Sequence, residues 1–334
     1  MPKKDAFIIT MAYPETIVSH AEEWYSKLLR FVCIGNKKHV RAGHAALVLI
    51  SKKTGELEYH DFGRYITPEP YGRVRGKQTD FELNFPLKAE IKNDVISNLD
   101  EILSFLATHP KLTHGDGDLY ASVCHKVNYD LARAHISEQQ NQGFIRYAAF
   151  IKKACNCARF VTDTLIASVT DEKLKQRLEA SKWFTPSTIG NVSIADTENF
   201  IYRVTDKGVI HEFKGSVGKE NRRLFLDTLR DYAPTLVGTI LPKENTIKSS
   251  HAQWLSGIAA GAWFELYDLD IKSEYRFRRI SPYGHVDCDG IYKTNSEGFD
   301  INQPYEFIHY SNCGFFNVEQ SGKTHHFKYL KDFS

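Results

Sequence analysis

Apolar residues in the first part of the chain fall into short continuous runs that polar turns separate. The runs at 7–11 and 45–50 predict two buried strands. A polar turn that ends at Gly55 follows the second run, and residues 56–65 then predict a returning strand. The segments at 45–50 and 56–65 are therefore predicted to pair as a β-hairpin.

Between and beyond these strands, apolar residues recur at the spacing of helices. One helix is predicted after Pro14, a second with Asn93 or Asp94 as its cap and Pro110 as its end, and a third over about 128–143. The apolar positions of the first of these helices are Ile17, Ala21, Trp24, Leu28 and Phe31.

A further helix is predicted to begin at Cys157. Asn156 directly before it is a favourable N-cap residue, because its side chain can accept a hydrogen bond from a backbone N–H of the first turn. An apolar stripe follows at helical spacing. The stripe consists of Phe160, Val161, Leu165 and Ile166.

Strands dominate the second half of the chain, apart from one predicted helix at 221–232. Turn residues separate the strands at about the 8–12-residue spacing of a small antiparallel barrel or meander. The predicted strands are 200–204, 263–269, 274–280, 286–293, 304–309 and 315–320. The fold class is therefore α+β, with an antiparallel sheet packed on helices at 1–180 and a β-rich, barrel-like domain at 190–334. The second domain is expected to pack on the first and to form one wall of its cleft.

Composition and charge narrow the range of functions. The chain has 43 Lys and Arg residues against 41 Asp and Glu residues, so nucleic acid is not expected as a partner. No apolar run has the roughly 18–20 residues that a membrane-spanning helix needs. The start of the chain does not resemble a secretory signal, and six scattered cysteines are typical of a reducing compartment. These features predict a cytoplasmic protein, and they leave its oligomeric state open.

Three residues in the first half suggest nucleophilic chemistry. A helix N-terminus favours a thiolate, because its unpaired N–H groups stabilise negative charge, and Cys157 occupies such a position. His44 opens a predicted strand after a glycine that allows close approach, and it is the candidate base. His60 on the returning strand is the candidate orienting group. A one-residue change of register would give that place to Asp61.

Two other interpretations of these residues remain. Cys157 could be an inert core cysteine, as free cysteines usually are. Zinc is the second, since Cys155 and Cys157 form a Cys-x-Cys pair and Cys124-His125 lies upstream. Structural zinc sites favour two paired cysteine knuckles, which this sequence lacks, so no metal or other cofactor is predicted.

The sequences Gly-His-Ala-Ala-Leu-Val from Gly43 and Asn-Cys-Ala-Arg-Phe-Val from Asn156 resemble the motifs of circularly permuted papain-like enzymes. This group includes permuted NlpC-type peptidases and lecithin:retinol acyltransferase-like proteins, in which the histidine strand precedes the cysteine helix. The resemblance covers about residues 40–170. It implies a permuted papain-like fold, with Cys157 as nucleophile, His44 as base and His60 as third catalytic residue.

The predicted function is therefore that of a cysteine hydrolase acting on a small peptide amide, such as a muropeptide. The alternatives are an acyl-ester hydrolase or acyltransferase, and a non-enzymatic binding protein that retains the cleft. A loop at 67–77 carries Arg73 and Arg75, which could bind a substrate carboxylate, because arginine matches that planar group with two hydrogen bonds. If His60 is the third catalytic residue, Asp61 is a further candidate for substrate binding.

Overall fold

The computed structural model describes residues 3–19, 39–183, 185–226, 229, 242, 244–258 and 260–333. The chain divides into two compact units. The first unit comprises Met1–Gly63 and Phe85–Ala233, and the second comprises Arg64–Asn84 and Pro234–Ser334.

The described strands are numbered in chain order. They are β1 (Ala6–Tyr13), β2 (Ile17–Ser19), β3 (His39–Arg41), β4 (His44–Ser51), β5 (Leu57–Gly63), β6 (Tyr71–Arg75), β7 (Ile91–Lys92), β8 (Val95–Ile96), β9 (Leu119–Val127), β10 (Ile145–Arg146), β11 (Tyr202–Val204), β12 (Ile210–Glu212), β13 (Gln253–Ser256), β14 (Gly261–Ile271), β15 (Glu274–Ile280), β16 (Val286–Thr294), β17 (Glu306–Ile308), β18 (Phe315–Gln320) and β19 (Lys323–Asp332).

The described α-helices are numbered in the same way. They are α1 (Leu99–Thr108), α2 (Pro110–Thr113), α3 (Tyr129–Asn141), α4 (Cys157–Ser168), α5 (Glu172–Ser181), α6 (Thr188–Ala195) and α7 (Val217–Phe225), and a 3-10 turn spans Phe81–Leu83. In the described part of the chain, no helix is both long and apolar enough to cross a membrane.

Six strands of the first unit lie side by side in the order β5-β4-β1-β9-β11-β12, and each pairs antiparallel with its neighbour. The central strands β1 and β4 are near-continuous apolar runs and are buried along almost their whole length, as expected for strands covered on both faces. The Tyr13 hydroxyl donates to the Leu106 carbonyl of α1, and the Ser122 hydroxyl donates to the Val192 carbonyl of α6. Helices thus cover the two faces of a buried sheet.

The second unit contains a seven-stranded antiparallel sheet in the order β13-β14-β15-β16-β19-β18-β17. The Gln253 side chain links its two outer strands, since it donates to the Tyr305 carbonyl at 2.9 Å and accepts from the Phe307 N–H at 2.8 Å. The sheet is therefore nearly closed. Its core is rich in aromatic rings, among them Phe264, Phe277, Tyr292, Phe307, Phe316 and Phe327.

Several predictions of local structure are confirmed. The fold is a mixture of helices and antiparallel sheets, and the second half of the chain is rich in strands. Strands β4 and β5 form the predicted hairpin. Asn128 and Asn156 cap α3 and α4 with their side chains, so Cys157 is the first residue of its helix. The helix predicted at 221–232 corresponds to α7, and most residues beyond its end lie outside the described part.

Two predicted helices and one predicted loop are wrong in part. Ile17 lies on β2, where it pairs with Arg41 of β3, and the other apolar positions of that predicted helix lie outside the described residues. Asn93 and Asp94 cap no helix. Both adopt left-handed conformations, and they form the two-residue turn between β7 and β8, a role that suits these residue types. The predicted loop at 67–77 contains strand β6.

Candidate functional site

Cys157 lies at the start of α4, and the segment before it is held firmly. The Asn156 side chain accepts a hydrogen bond from the Arg159 N–H at 2.8 Å, as an N-cap residue does. The thiol is almost buried, with 6% of the residue exposed. The unpaired N–H groups of the first helical turn thus surround a sulfur atom at a position that favours negative charge.

Arg159 is a structural support that the sequence alone did not reveal. Its guanidinium donates to the carbonyls of Ala149, Ile151 and Ala154. These three bonds fasten the approaching segment to the first turn of α4. Nothing in the sequence Asn-Cys-Ala-Arg-Phe-Val indicates that its arginine binds backbone carbonyls.

His44 is the first residue of β4 and pairs with Tyr13 at the end of β1. Gly43 precedes it with a φ of +74°, and a Cβ atom there would lie 2.9 Å from both the Pro14 Cα and the Thr188 Oγ1. Only glycine meets both requirements without strain. The close approach that the sequence suggested for this glycine is therefore present, and it fixes the backbone from which the His44 ring projects.

The His44 ring joins the thiol to a carboxylate. Its Nε2 atom lies 3.0 Å from the Asp61 Oδ2, and the ring also makes a hydrogen bond with the Cys157 side chain. Because Nε2 is held by Asp61, Nδ1 is the ring nitrogen available to the sulfur. The structure thus brings Cys157, His44 and Asp61 together, with the His44 ring between the thiol and the carboxylate.

The charge state of His44 follows from this environment. Burial by itself lowers the pKa of His44, but the hydrogen bonds to Asp61 and Cys157 and their negative charges raise this pKa to about 9. At neutral pH the ring is therefore an imidazolium. A positive ring thus lies between the Asp61 carboxylate and the Cys157 sulfur atom.

His60 lies on the other side of the sheet. In the β4–β5 hairpin Asp61 pairs with Ala46, two residues from His44, whereas His60 pairs with Leu47. Since successive side chains of a strand alternate between faces, Asp61 shares the face of His44 and His60 does not. The His60 Nε2 atom lies 3.9 Å from the Glu58 carboxylate and 3.4 Å from the Arg133 guanidinium. The register that the sequence left as an alternative is the one observed.

Tyr59 supports the carboxylate of Asp61. Its hydroxyl lies 3.0 Å from the Asp61 Oδ2 and 3.1 Å from the Thr113 carbonyl, in a fully buried setting. Asp61 itself has no exposed surface, so its position suits the orientation of His44 and not the binding of a substrate.

For the hydrolysis that the sequence predicts, Asp61→Asn is expected to reduce kcat/KM by about 10²–10⁴-fold, because the neutral amide no longer stabilises the His44 imidazolium. His60→Gln is the matched control, since it changes a buried polar residue on the opposite face of the same strand. We expect it to cost less than tenfold in kcat/KM and mainly to lower the melting temperature. A larger loss of activity in His60→Gln than in Asp61→Asn would reverse the assignment.

Arg73 and Arg75 lie on β6 in the second unit, and both are buried. The Arg73 guanidinium donates to both carboxylate oxygens of Asp80, at 2.6 and 2.7 Å, and to the Tyr65 carbonyl. The Arg75 guanidinium lies 4.0 Å from the centre of the Tyr65 ring. Their burial leaves neither guanidinium a surface on which to bind a substrate carboxylate, as the sequence had suggested.

The other described cysteines of the first unit have different environments. Burial raises the pKa of Cys124 to about 11, and it also raises the pKa of Cys155, whose thiol donates to the Asn156 carbonyl. Both are therefore held as neutral thiols at physiological pH. Among the described residues, no group of three or more His, Cys, Asp or Glu side chains could hold a metal ion.

Two protein-family models match parts of this chain. A family described as type VI secretion system effector TseH-like matches residues 8–174, a range that contains Cys157, His44 and Asp61. A second family, described as the DUF6695 C-terminal domain, matches residues 252–330.

A crystal structure of the type VI secretion system effector TseH is similar, with 19% sequence identity and a TM-score of 0.45. The similarity covers 63% of this chain and 99% of that chain. None of the curated proteins matches this chain.

Proposed function

The chain belongs to the family of TseH-like type VI secretion system effectors, and on that premise we propose that it is a cysteine hydrolase that cleaves a small peptide amide. The observation that carries this proposal is the contact of the His44 ring with both Asp61 and the Cys157 side chain. The family is generally one of hydrolases of the NlpC/P60 type, which supports the same chemistry.

The proposed reaction begins with attack of the Cys157 thiolate on the carbonyl carbon. The Cys157 N–H at the start of α4 would stabilise the negative oxygen of the tetrahedral intermediate. The His44 imidazolium then gives its proton to the leaving amine, and an acyl-enzyme remains. His44, now neutral, takes a proton from the water molecule that hydrolyses the thioester, while Asp61 holds the ring in place.

The permuted papain-like fold is part of the same proposal. The strand that carries His44 precedes the helix that carries Cys157, and Asp61 lies on the strand adjacent to His44. This is the order of elements in permuted papain-like enzymes, and the capped helix start and the buried antiparallel sheet also support it.

The substrate class is proposed from the resemblance to permuted NlpC-type peptidases. A muropeptide-like amide is the leading substrate, and an acyl ester is the alternative, because a thiolate attacks both kinds of carbonyl. The predicted domain boundaries and the role of the second domain as a wall of the cleft likewise remain proposals. The predicted cytoplasmic location is not confirmed, since the family is one of secretion-system effectors.

The direct test is a panel of purified muropeptides and matched ester substrates, with products identified by mass spectrometry. We expect release of an amine from the muropeptides by the wild-type protein and none by Cys157→Ser. Faster cleavage of the esters would favour the acyl-ester alternative. Tight binding of a muropeptide without any turnover would favour a binding protein.

The activity should depend on pH through His44. Because the pKa of His44 is raised to about 9, the imidazolium that protonates the leaving group persists at neutral pH and is lost as the pH rises through about 9. The rate of hydrolysis should therefore fall on the alkaline side with a midpoint near pH 9. In Asp61→Asn this midpoint should move towards 6.5, the ordinary value for histidine. An alkaline midpoint that is unchanged in the variant would contradict the role of Asp61.

The raised pKa of His44 also makes the stability of the folded state depend on pH. The folded state binds the His44 proton more tightly than the unfolded chain does. The resulting stabilisation is fully present below about pH 6.5, the unfolded pKa, and is lost as the pH rises through about 9. The melting temperature of the wild type should therefore decrease over this interval by more than that of Asp61→Asn.

A further inference from the structure

A short loop, Gly115-Asp116-Gly117, is anchored beside His44. The Asp116 N–H donates to the Thr16 Oγ1 at 2.9 Å. The backbone of Thr16 is in turn bonded to the segment that carries the base, since its carbonyl accepts from the Gly43 N–H at 3.0 Å. One residue thus connects Asp116 to the start of β4.

The two glycines of this loop allow its close approach. A Cβ atom on Gly115 would lie 2.1 Å from the Tyr13 ring, and Tyr13 is the residue that pairs with His44. Gly117 has a φ of +76°, and a Cβ atom there would lie 2.4 Å from a carboxylate oxygen of Glu15. The loop is therefore packed tightly through its glycines, and Asp116 carries its only side chain between them.

The tight packing of the loop fixes the position of Asp116, which is exposed. It accepts no hydrogen bond from any residue in the described part of the chain. Burial of part of the group raises its pKa, and the positive charges of His44 and Arg41 oppose this rise. The carboxylate is thus an unpaired negative group within electrostatic reach of the candidate base.

The local charges favour a cationic substrate. When Cys157 is a thiolate and His44 an imidazolium, these two charges cancel and the buried carboxylate of Asp61 remains. Asp116 adds a second negative charge, and Arg41, which donates to the Glu15 carbonyl, supplies a positive one. The sum of these charges is negative, which disfavours the approach of an anionic group.

We propose that Asp116 is a specificity-determining residue that binds an ammonium group next to the scissile bond. The inference rests on the proposed function, because it assigns a substrate class to the same site: peptide amides that carry a free amino group. A carboxylate held by two closely packed glycines can form charge-assisted hydrogen bonds to an ammonium without reorganisation of the loop.

The test compares the alkylation of Cys157 by three small reagents of different charge. These are 2-bromoethylamine, iodoacetamide and iodoacetate, which are cationic, neutral and anionic. Rates are measured on the full chain by mass-spectrometric mapping, and each charged reagent is expressed relative to iodoacetamide. This ratio removes differences in the intrinsic reactivity of the thiol between variants.

In Asp116→Asn we expect the relative rate of the cationic reagent to fall about three- to tenfold and that of the anionic reagent to rise by a similar factor, as for the loss of one charge near a partly exposed site. Asp116→Glu should restore the wild-type ratios in part. Asp206→Asn removes an exposed carboxylate in the turn between β11 and β12, and it should leave both ratios unchanged. Raising the salt concentration should reduce the effect in the wild type.

The results distinguish a failure of the proposed role of Asp116 from a failure of the proposed function. If Cys157 is alkylated at the same relative rates in the wild type and in Asp116→Asn, the cation-binding role of Asp116 is refuted. The proposed roles of Cys157 and His44 are unaffected by that result. If none of the three reagents labels Cys157 in the wild type, the proposed function itself fails.

Discussion

Cys157→Ala should lower hydrolysis to the uncatalysed background, a loss of about 10⁴-fold or more in kcat. In the proposed reaction the sulfur atom forms the covalent bond to the substrate, so no other group can replace it. The substitution removes one almost buried sulfur atom and leaves the helix cap at Asn156 intact. The melting temperature should therefore change by only a few degrees.

Two buried cysteines provide matched controls for this result. Cys124→Ala and Cys155→Ala remove sulfur atoms from the same unit, where burial holds each as a neutral thiol. Both variants should keep activity within about tenfold of the wild type. Mapping of limited alkylation at mildly acidic pH should label Cys157 first. Preferential labelling of Cys124 or Cys33 with Cys157 untouched would contradict the assignment of the nucleophile.

His44→Ala should reduce kcat by about 10³-fold or more, which is the second largest effect that the structure predicts. The imidazolium both stabilises the neighbouring negative sulfur and protonates the leaving group, so its loss affects two steps. The rate at which iodoacetamide alkylates Cys157 near pH 6 should fall in the same variant. His44→Ala with full activity would exclude the proposed mechanism.

A structural effect of His44→Ala has to be separated from the catalytic one. The substitution leaves the fully buried Asp61 carboxylate without its cationic partner, which costs about 3–5 kcal/mol in comparable buried pairs. The double variant His44→Ala/Asp61→Asn removes that unpaired charge. It should regain much of the lost stability but none of the activity, whereas recovery of both would indicate a purely structural role for His44.

The sequence predicted those parts of the site that depend on local structure. An N-cap asparagine followed by an apolar stripe is a local signal, and it placed Cys157 correctly at the start of its helix. The polar turn ending at Gly55 likewise predicted the hairpin that carries His44. The glycine before His44 indicates a position of close approach, and the structure has a φ value and neighbours that require glycine there.

The parts that were not predictable depend on register and on distant contacts. His60 and Asp61 differ by one position, and only the pairing of β5 with β4 decides which of them faces His44. Arg73 lies in a stretch that has the composition of a loop, but its guanidinium is bound by Asp80 inside the second unit. The sequence at Asn93 and Asp94 predicts a helix cap where the structure has a turn, because these residue types favour both roles.

The most direct test of the proposed pairing of His44 with Cys157 and Asp61 is a pH titration of the His44 ring. The titration is monitored by NMR in protein labelled at histidine, and His44→Gln identifies the His44 signals. We expect a pKa of about 9 for His44 in the wild type, and lower values in Cys157→Ala and in Asp61→Asn, because each variant removes one of the negative groups that stabilise the imidazolium. A wild-type His44 that titrates near 6.5, with no response to either substitution, would contradict the contact of its ring with Cys157 and Asp61.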